Sequence, residues 1–326
     1  MKKYALPIGL NLLAIALLFA CAPTSQSETR SMAPFPIDTL LIAEKVPVAE
    51  MLSPNYMMLK NDVLFIANSS EDTMLYQYAV PQFDCIYKGG RKGKGPGEFQ
   101  SHVTFCESTT DDIYIRGYTY TTIRRFQFDH AKQLSFKSEY KLARDEPMNQ
   151  VHVVEDSMLL YSAIPMEFAL KKVNLKTGKI VATFAFEKEE HNESFFDKYR
   201  GFMTANDQYI VYVYIFKKQI DLYRVGDFSL YKRIVDESAP SQVVVGKPKE
   251  STFYYGLTYA GKNHFYAMCA EDEKKVALQV FDYQGNSTHK YRFDILPEIF
   301  VVDEKRNMLY GYSSDLEDYL LRYRLR

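Results

Sequence analysis

Val63-Leu64-Phe65-Ile66, then a polar loop, then Met74-Leu75-Tyr76-Gln77-Tyr78: this pair of short runs decides the fold, because the chain repeats it. Each run is β-branched, aromatic or otherwise apolar, and its length and composition are those of a strand, not of a helix. First runs recur as Ile113-Tyr114-Ile115, Met158-Leu159-Leu160-Tyr161, Tyr209-Ile210-Val211-Tyr212-Val213, His264-Phe265-Tyr266-Ala267 and Met308-Leu309-Tyr310-Gly311-Tyr312. Second runs follow at matched offsets: Ile123-Arg124-Arg125-Phe126-Gln127-Phe128, Ala169-Leu170-Lys171-Lys172-Val173, Ile220-Asp221-Leu222-Tyr223, Ala277-Leu278-Gln279-Val280-Phe281 and Tyr319-Leu320-Leu321-Arg322-Tyr323. Successive first runs start roughly 45 to 55 residues apart, room for about four strands per unit.

Six such units fit the length. Turn signals such as Lys176-Thr177-Gly178-Lys179 and Tyr283-Gln284-Gly285-Asn286 separate strands within them. Radially arranged units of this size bury each face against the next, so residues 36–326 read as an all-β, six-bladed β-propeller. The sixth unit stops at Leu325-Arg326 after two strands, which would leave an open edge. The segment Ile37-Asp38-Thr39-Leu40-Leu41-Ile42 is expected to supply the missing outer strand, closing the ring with the two chain ends. Two stacked β-sandwiches are the rival fold, disfavoured by the near-constant period. One short helix is expected over Glu187 to Tyr199, between the third and fourth blades.

The N-terminus is a secretion signal: Met1-Lys2-Lys3 is cationic, Ala5 to Ala20 is apolar, and Leu18-Phe19-Ala20-Cys21 has the form of a lipobox. Residues 1–20 are expected to be removed and Cys21 acylated, with residues 21–35, rich in Ser, Thr and Pro, acting as a flexible tether. Pro7, Gly9 and Asn11 interrupt the apolar run and argue against an uncleaved anchor. No Asp follows Cys21, which favours the periplasmic side of the outer membrane, with surface display as the alternative.

Without residues 1–20 the chain carries 38 basic and 41 acidic residues, a net charge of −3 that favours neither nucleic acid nor an anionic lipid face as partner. Beyond Cys21 there are Cys85, Cys106 and Cys269, an odd number that cannot all pair. A Cys85–Cys106 bridge is conceivable, but both lie in strand-like runs and buried free thiols are expected. No CxxC or HxxxH spacing points to zinc.

The sharpest local motif is Gly89-Gly90-Arg91-Lys92-Gly93-Lys94-Gly95-Pro96-Gly97-Glu98-Phe99. Clustered glycines permit positive φ and let backbone amides converge, while Pro96 stiffens the turn. That nest could hold an anion beside Arg91, Lys92 and Lys94. The plainer reading is a tight inter-blade crossover with Phe99 plugged between blades and Glu98 accepting backbone bonds. Arg91-Lys92-Gly93-Lys94-Gly95 has a phosphate-loop look, but no Gly-Lys-Ser/Thr ending opens a helix after it, which disfavours nucleotide binding. Residues Gly93, Gly95, Pro96, Gly97, Glu98 and Phe99 resemble the Gly-x-Gly-Pro-Gly-Glu-Phe turn of six-bladed propellers of the NHL and TolB-like kind, including lipoproteins found in Bacteroidetes. The resemblance implies a lipid-anchored propeller of that type.

Aligning the units brings out two further candidates. The loop after the first run is acidic in the first unit (Glu71, Asp72), the fifth (Glu271, Asp272, Glu273) and the sixth (Asp315, Glu317, Asp318), with Lys217 and Lys218 in the fourth. An acidic crescent on one face could hold calcium or receive a basic partner; ordinary solvated hairpins are the alternative. Tyr114, Arg116, Tyr161, Tyr212, Tyr214, Tyr266 and Tyr312 lie on or beside the runs taken as inner strands and could line a ligand channel, or pack as core. The histidines at 102, 130, 152, 191, 264 and 289 are scattered, and no catalytic motif occurs. The expected function is a lipid-anchored envelope module that binds or scaffolds a protein, peptide or glycan partner and needs no cofactor. The alternative is a calcium-dependent hydrolase or lactonase-like enzyme acting at the channel.

Overall fold

Every one of those apolar runs forms a strand in the computed structural model, which describes residues 27–50, 52–69, 72–95, 98–100, 102–117, 122–128, 134–142, 148–155, 158–163, 169–186, 198–244, 247–272 and 275–326. Three short strands come first: β1 (Glu28–Ser31), β2 (Ile37–Leu41) and β3 (Glu44–Pro47). Antiparallel meanders follow. They are β4 to β7 (Pro54–Lys60, Val63–Asn68, Leu75–Ala79, Asp84–Gly89), β8 to β11 (Thr104–Ser108, Ile113–Arg116, Thr122–Phe128, Leu134–Lys141) and β12 to β15 (Met148–Val154, Met158–Ala163, Ala169–Asn174, Lys179–Ala185). Next come β16 to β19 (Gly201–Ala205, Tyr209–Tyr214, Gln219–Arg224, Leu230–Val235), β20 to β23 (Tyr255–Ala260, His264–Ala270, Val276–Asp282, Ser287–Phe293) and β24 to β26 (Ile299–Asp303, Met308–Tyr312, Tyr319–Arg324).

Hydrogen bonding groups these strands into five sheets of an all-β propeller. One sheet has eight strands, because the second and third meanders join through a short parallel pairing of β8 with β12, Glu107 opposite His152 and Ser108 opposite Val153. Among the described residues helix is confined to two 3₁₀ turns, Pro248–Glu250 and Ser314–Leu316. The helix expected from Glu187 falls at 187–197, outside the described residues.

The second strand of each meander reads as nearly continuous hydrophobe because both its faces are covered. In β5, Leu64 and Ile66 face the cluster shared with β25 and β26, while Val63, Phe65 and Ala67 face the cluster shared with β8 to β10. The same alternation sends Tyr212 and Tyr214 of β17 one way and Val211 and Val213 the other. Among the described residues six hydrophobic clusters result, each between one meander and the next, the last joining β24–β26 to β4–β7. Each fully buried side chain of this kind contributes roughly 1.5–3 kcal/mol. The Tyr283–Asn286 turn falls where the sequence placed it, with Gly285 at φ +82°.

Three expectations are corrected. The runs read as first, inner strands are second strands: a further strand precedes each of them. Those preceding strands, β4, β8, β12, β16, β20 and β24, touch one another in that cyclic order and lie innermost. The segment at Ile37–Leu41 also does not fill the open place beside the last meander. It lies parallel to β23, where Asp38 meets Lys290 at 3.0 Å and also pairs with Arg292. The place beside β26 goes to β3, antiparallel, where Arg322 Nε donates to Glu44 at 2.9 Å. Charge matching separates the two neighbours. Nor is the whole of 21–35 a flexible tether: within it β1 adds in parallel to β19, with Glu28 2.9 Å from Lys232 Nζ, and Met32 and Phe35 pack beside it.

Candidate functional site at the channel mouth

The inner strands converge radially, and where their C-terminal ends meet they leave a cavity of about 350 Å³. Lys60 at the end of β4, Glu107 and Ser108 of β8, His152 of β12, Asn206 and Asp207 after β16, and Tyr259 of β20 line it. Ala205, Ala260 and Gly261 take little space there and help keep the mouth open. Volume and mixed lining are those of a small-ligand site.

Register brings the central pair together. Glu107 and His152 are direct partners across β8 and β12, so their side chains emerge on the same face, with Nδ1 of His152 3.5 Å from the Glu107 carboxylate. His152 is 5% exposed, and burial pushes its imidazole down to about 4, so it is neutral at pH 7. Burial likewise pushes the Glu107 carboxyl up to about 7, against the pull of nearby Lys60 and a hydrogen bond from Tyr56. Lys60 acts on Glu107 through its charge, while Nζ donates to the Ser108 carbonyl at 2.7 Å. Burial lowers the Lys60 ammonium too, opposed by Asp111, Glu107 and Asp112. The hydroxyls of Tyr56 and Tyr259 are raised, first by burial and then by the Glu107 charge. The mouth therefore holds a carboxyl poised near neutrality beside a neutral imidazole.

The tyrosines expected to line the channel do not. Tyr114, Tyr212, Tyr214, Tyr266 and Tyr312 are each 4% exposed or less, and they are spread over four inter-sheet clusters because second strands have a neighbour on both faces. Their hydroxyls are engaged inside the fold, Tyr214 on Asp221 at 2.8 Å and Tyr312 on the Leu52 carbonyl at 3.1 Å. Arg116 is half-buried at the end of β9. Tyr161 belongs to β13, its side chain outside the described residues.

The glycine-rich turn is a structural plug. Glu98 accepts from the Gly95 amide and from Arg91 Nε, both at 2.7 Å, and these contacts hold its carboxyl below the usual range. Gly93 donates to the Phe99 carbonyl at 3.0 Å, and the Phe99 ring, 2% exposed, lies in the cluster between the first two meanders. Gly90 sits at φ +73°, and a Cβ there would lie 2.6 Å from that ring. The nest thus holds the chain's own carboxylate. Pro96 and Gly97 lie outside the described residues, as does Cys21.

The acidic loops occupy the other end of the strands. Asp72, Glu271, Asp272, Asp315, Glu317 and Asp318 are all exposed, and Glu271 pairs with Lys290 at 2.9 Å and Asp272 with Lys275 at 3.3 Å. Glu71 and Glu273 lie outside the described residues. Among the described residues no three His, Cys, Asp or Glu side chains come together as a metal site would require. In the fourth meander Lys218 pairs with Asp236 at 3.0 Å, and Lys217 lies 3.7 Å from the Tyr199 ring centre. Of the three cysteines, Cys106 and Cys269 are buried thiols and Cys85 is exposed and unpaired.

The sequence reading passed over Lys60, Glu107, Tyr56 and Tyr259. The available signal was polarity inside a strand, as in Phe105-Cys106-Glu107-Ser108 and Val151-His152-Val153. Among the described residues no helix is long and apolar enough to cross a membrane.

A family model described as TolB-like 6-blade propeller-like matches residues 38–229. No curated protein matches the chain. Among solved structures, a protein described as exported from Bacteroides fragilis NCTC 9343 superposes with a TM-score of 0.60 at 13% identity, over 91% of this chain and 99% of that one. Raptor of Chaetomium thermophilum superposes with a TM-score of 0.51 at 8% identity, over 87% of this chain and 29% of Raptor. At these identities the likeness is one of fold.

Proposed function

The chain belongs to the TolB-like six-bladed propeller family, and on that premise we propose that it is an exported envelope protein acting as a binding or scaffold module, with its ligand seated at the channel mouth. The observation carrying this reading is the cavity of about 350 Å³ in which Lys60, Glu107, His152 and Tyr259 converge from four inner strands. Side chains drawn from so many strands make a site only when the ring is intact, which is how a propeller presents a ligand.

In this reading the eight-stranded sheet is two blades, giving six, and β3 closes the ring beside β26. The cyclic contact of the inner strands and the six inter-meander clusters support that count. Export rests on the Lys2-Lys3 and apolar leader, and on the likeness to an exported Bacteroides fragilis protein. Acylation at Cys21 would tether the module to the outer membrane on its periplasmic side, as in Bacteroidetes lipoproteins, with a protein, peptide or glycan as partner.

Narrowing the mouth with Ala260→Phe tests the function. Protein isolated from its native envelope should carry a ligand visible by native mass spectrometry, and the variant should lose it while keeping its unfolding temperature. Equal retention by both proteins, or turnover of ester or lactone substrates on adding calcium, would contradict a binding module at this site.

A further inference from the structure

Resting on the reading of the channel mouth as the binding site, we infer that its ligand carries a primary ammonium group, seated against the Glu107 carboxylate with the His152 imidazole as second acceptor. A carboxylate offers about four acceptor positions. Glu107 uses few of them, with Tyr56 bonded to it and His152 at 3.5 Å, too long for a good hydrogen bond. Lys60 acts on Glu107 through its charge and gives one of its three N–H donors to the Ser108 carbonyl. His152 is more than nine-tenths buried against the cavity, with its Nδ1 3.5 Å from Glu107. A neutral imidazole keeps one nitrogen as an acceptor. A carboxylate and an imidazole acceptor side by side at the wall of a cavity are the complement of an N–H-rich cation.

Facing Glu107 and His152 are Tyr56 and Lys60 from β4 and Tyr259 from β20, with Asp111 and Asp112 behind β8, Asp207 after β16 and Lys262 after β20. Asp112 is already paired with Arg125, so the charged groups lining the mouth are two carboxylates, Glu107 and Asp207, and two ammonium groups, Lys60 and Lys262, and local geometry rather than net charge selects the ligand. A carboxyl that titrates near neutrality holds a proton where a cation would otherwise sit, so an entering ammonium should displace that proton. The cavity is large enough for an amino sugar or the first residues of a peptide.

Isothermal titration of the full chain in detergent at pH 6.5 tests this with two matched pairs: glucosamine with N-acetylglucosamine, and alanyl-alaninamide with its N-acetylated form. The free amine of at least one pair should bind more than tenfold tighter than its acetylated partner, and the pair that does so identifies a sugar or a peptide source. In buffers of different ionisation enthalpy the heats should report proton release by the unmodified protein, and Glu107→Gln should weaken binding more than tenfold with the fold intact. Equal binding of acetylated and free forms, or proton uptake, would overturn the ammonium while leaving the mouth as the site. Silence from all four probes would also overturn it, whereas the site itself stands or falls on the Ala260→Phe comparison.

Discussion

Glu107 and His152 titrate in opposite senses although they are partners in register. His152, lowered to about 4 from 6.5, stabilises the fold above its ordinary value, and that contribution is lost as pH falls toward 4. Glu107, raised to about 7 from 4.5, binds its proton more tightly folded than unfolded, so stability declines as pH rises from 4.5 through 7. Between about 4.5 and 6.5 the two trends offset each other, and Glu107 alone governs the slope near 7. Glu107→Gln removes the charge that burial penalises. Its stability relative to the unmodified protein is expected to rise between pH 5 and pH 8, by on the order of 2–3 kcal/mol, read from urea unfolding. A difference independent of pH would mean that Glu107 is solvated. Little of this pair was legible beforehand. A lone Glu in a strand and a lone His among valines become a site only when a parallel pairing between two meanders sets them opposite each other, and no local pattern encodes that pairing.

Strands were legible in proportion to how completely they are covered. The second strands, packed on both faces, appear as uninterrupted runs such as Tyr209 to Val213, and the reading found all of them. Inner strands such as Thr104–Ser108 and Gly201–Ala205 line a polar mouth at one end and carry mixed residues, so they left no clear period. That omission moved the presumed channel one strand outward, onto tyrosines that are core. The N-terminal strands show a subtler limit, because Ile37–Leu41 and Glu44–Pro47 are both short and strand-like, and what separates them is which cations they meet. Val46 pairs with Leu320 in the register of β3 and β26. Val46→Pro removes a backbone donor within that strand, and an expected loss of about 2–3 kcal/mol with increased aggregation on heating would report the reopened edge. An unchanged unfolding temperature would mean that β3 contributes nothing to completing the last sheet.

At the scale of the molecule, inner strands in cyclic contact and hydrophobic clusters between successive meanders describe a disc whose parts depend on one another all round. Its repeat was readable from spacing alone, and the match of residues 38–229 to a TolB-like propeller agrees with it. The two ends of the disc differ. One bears exposed acids such as Asp315 and Glu317, two others already paired with lysines, and the other bears the mouth where Glu107, His152 and Lys60 converge. The proposed function places the ligand at the mouth, and soaking crystals of the protein in glucosamine or alanyl-alaninamide, whichever binds in solution, tests that most directly. Density is expected between the inner strands, with the ligand nitrogen within hydrogen-bonding distance of the Glu107 carboxylate. An empty mouth at saturating ligand, or density on the acidic loops at the opposite end, would contradict the account.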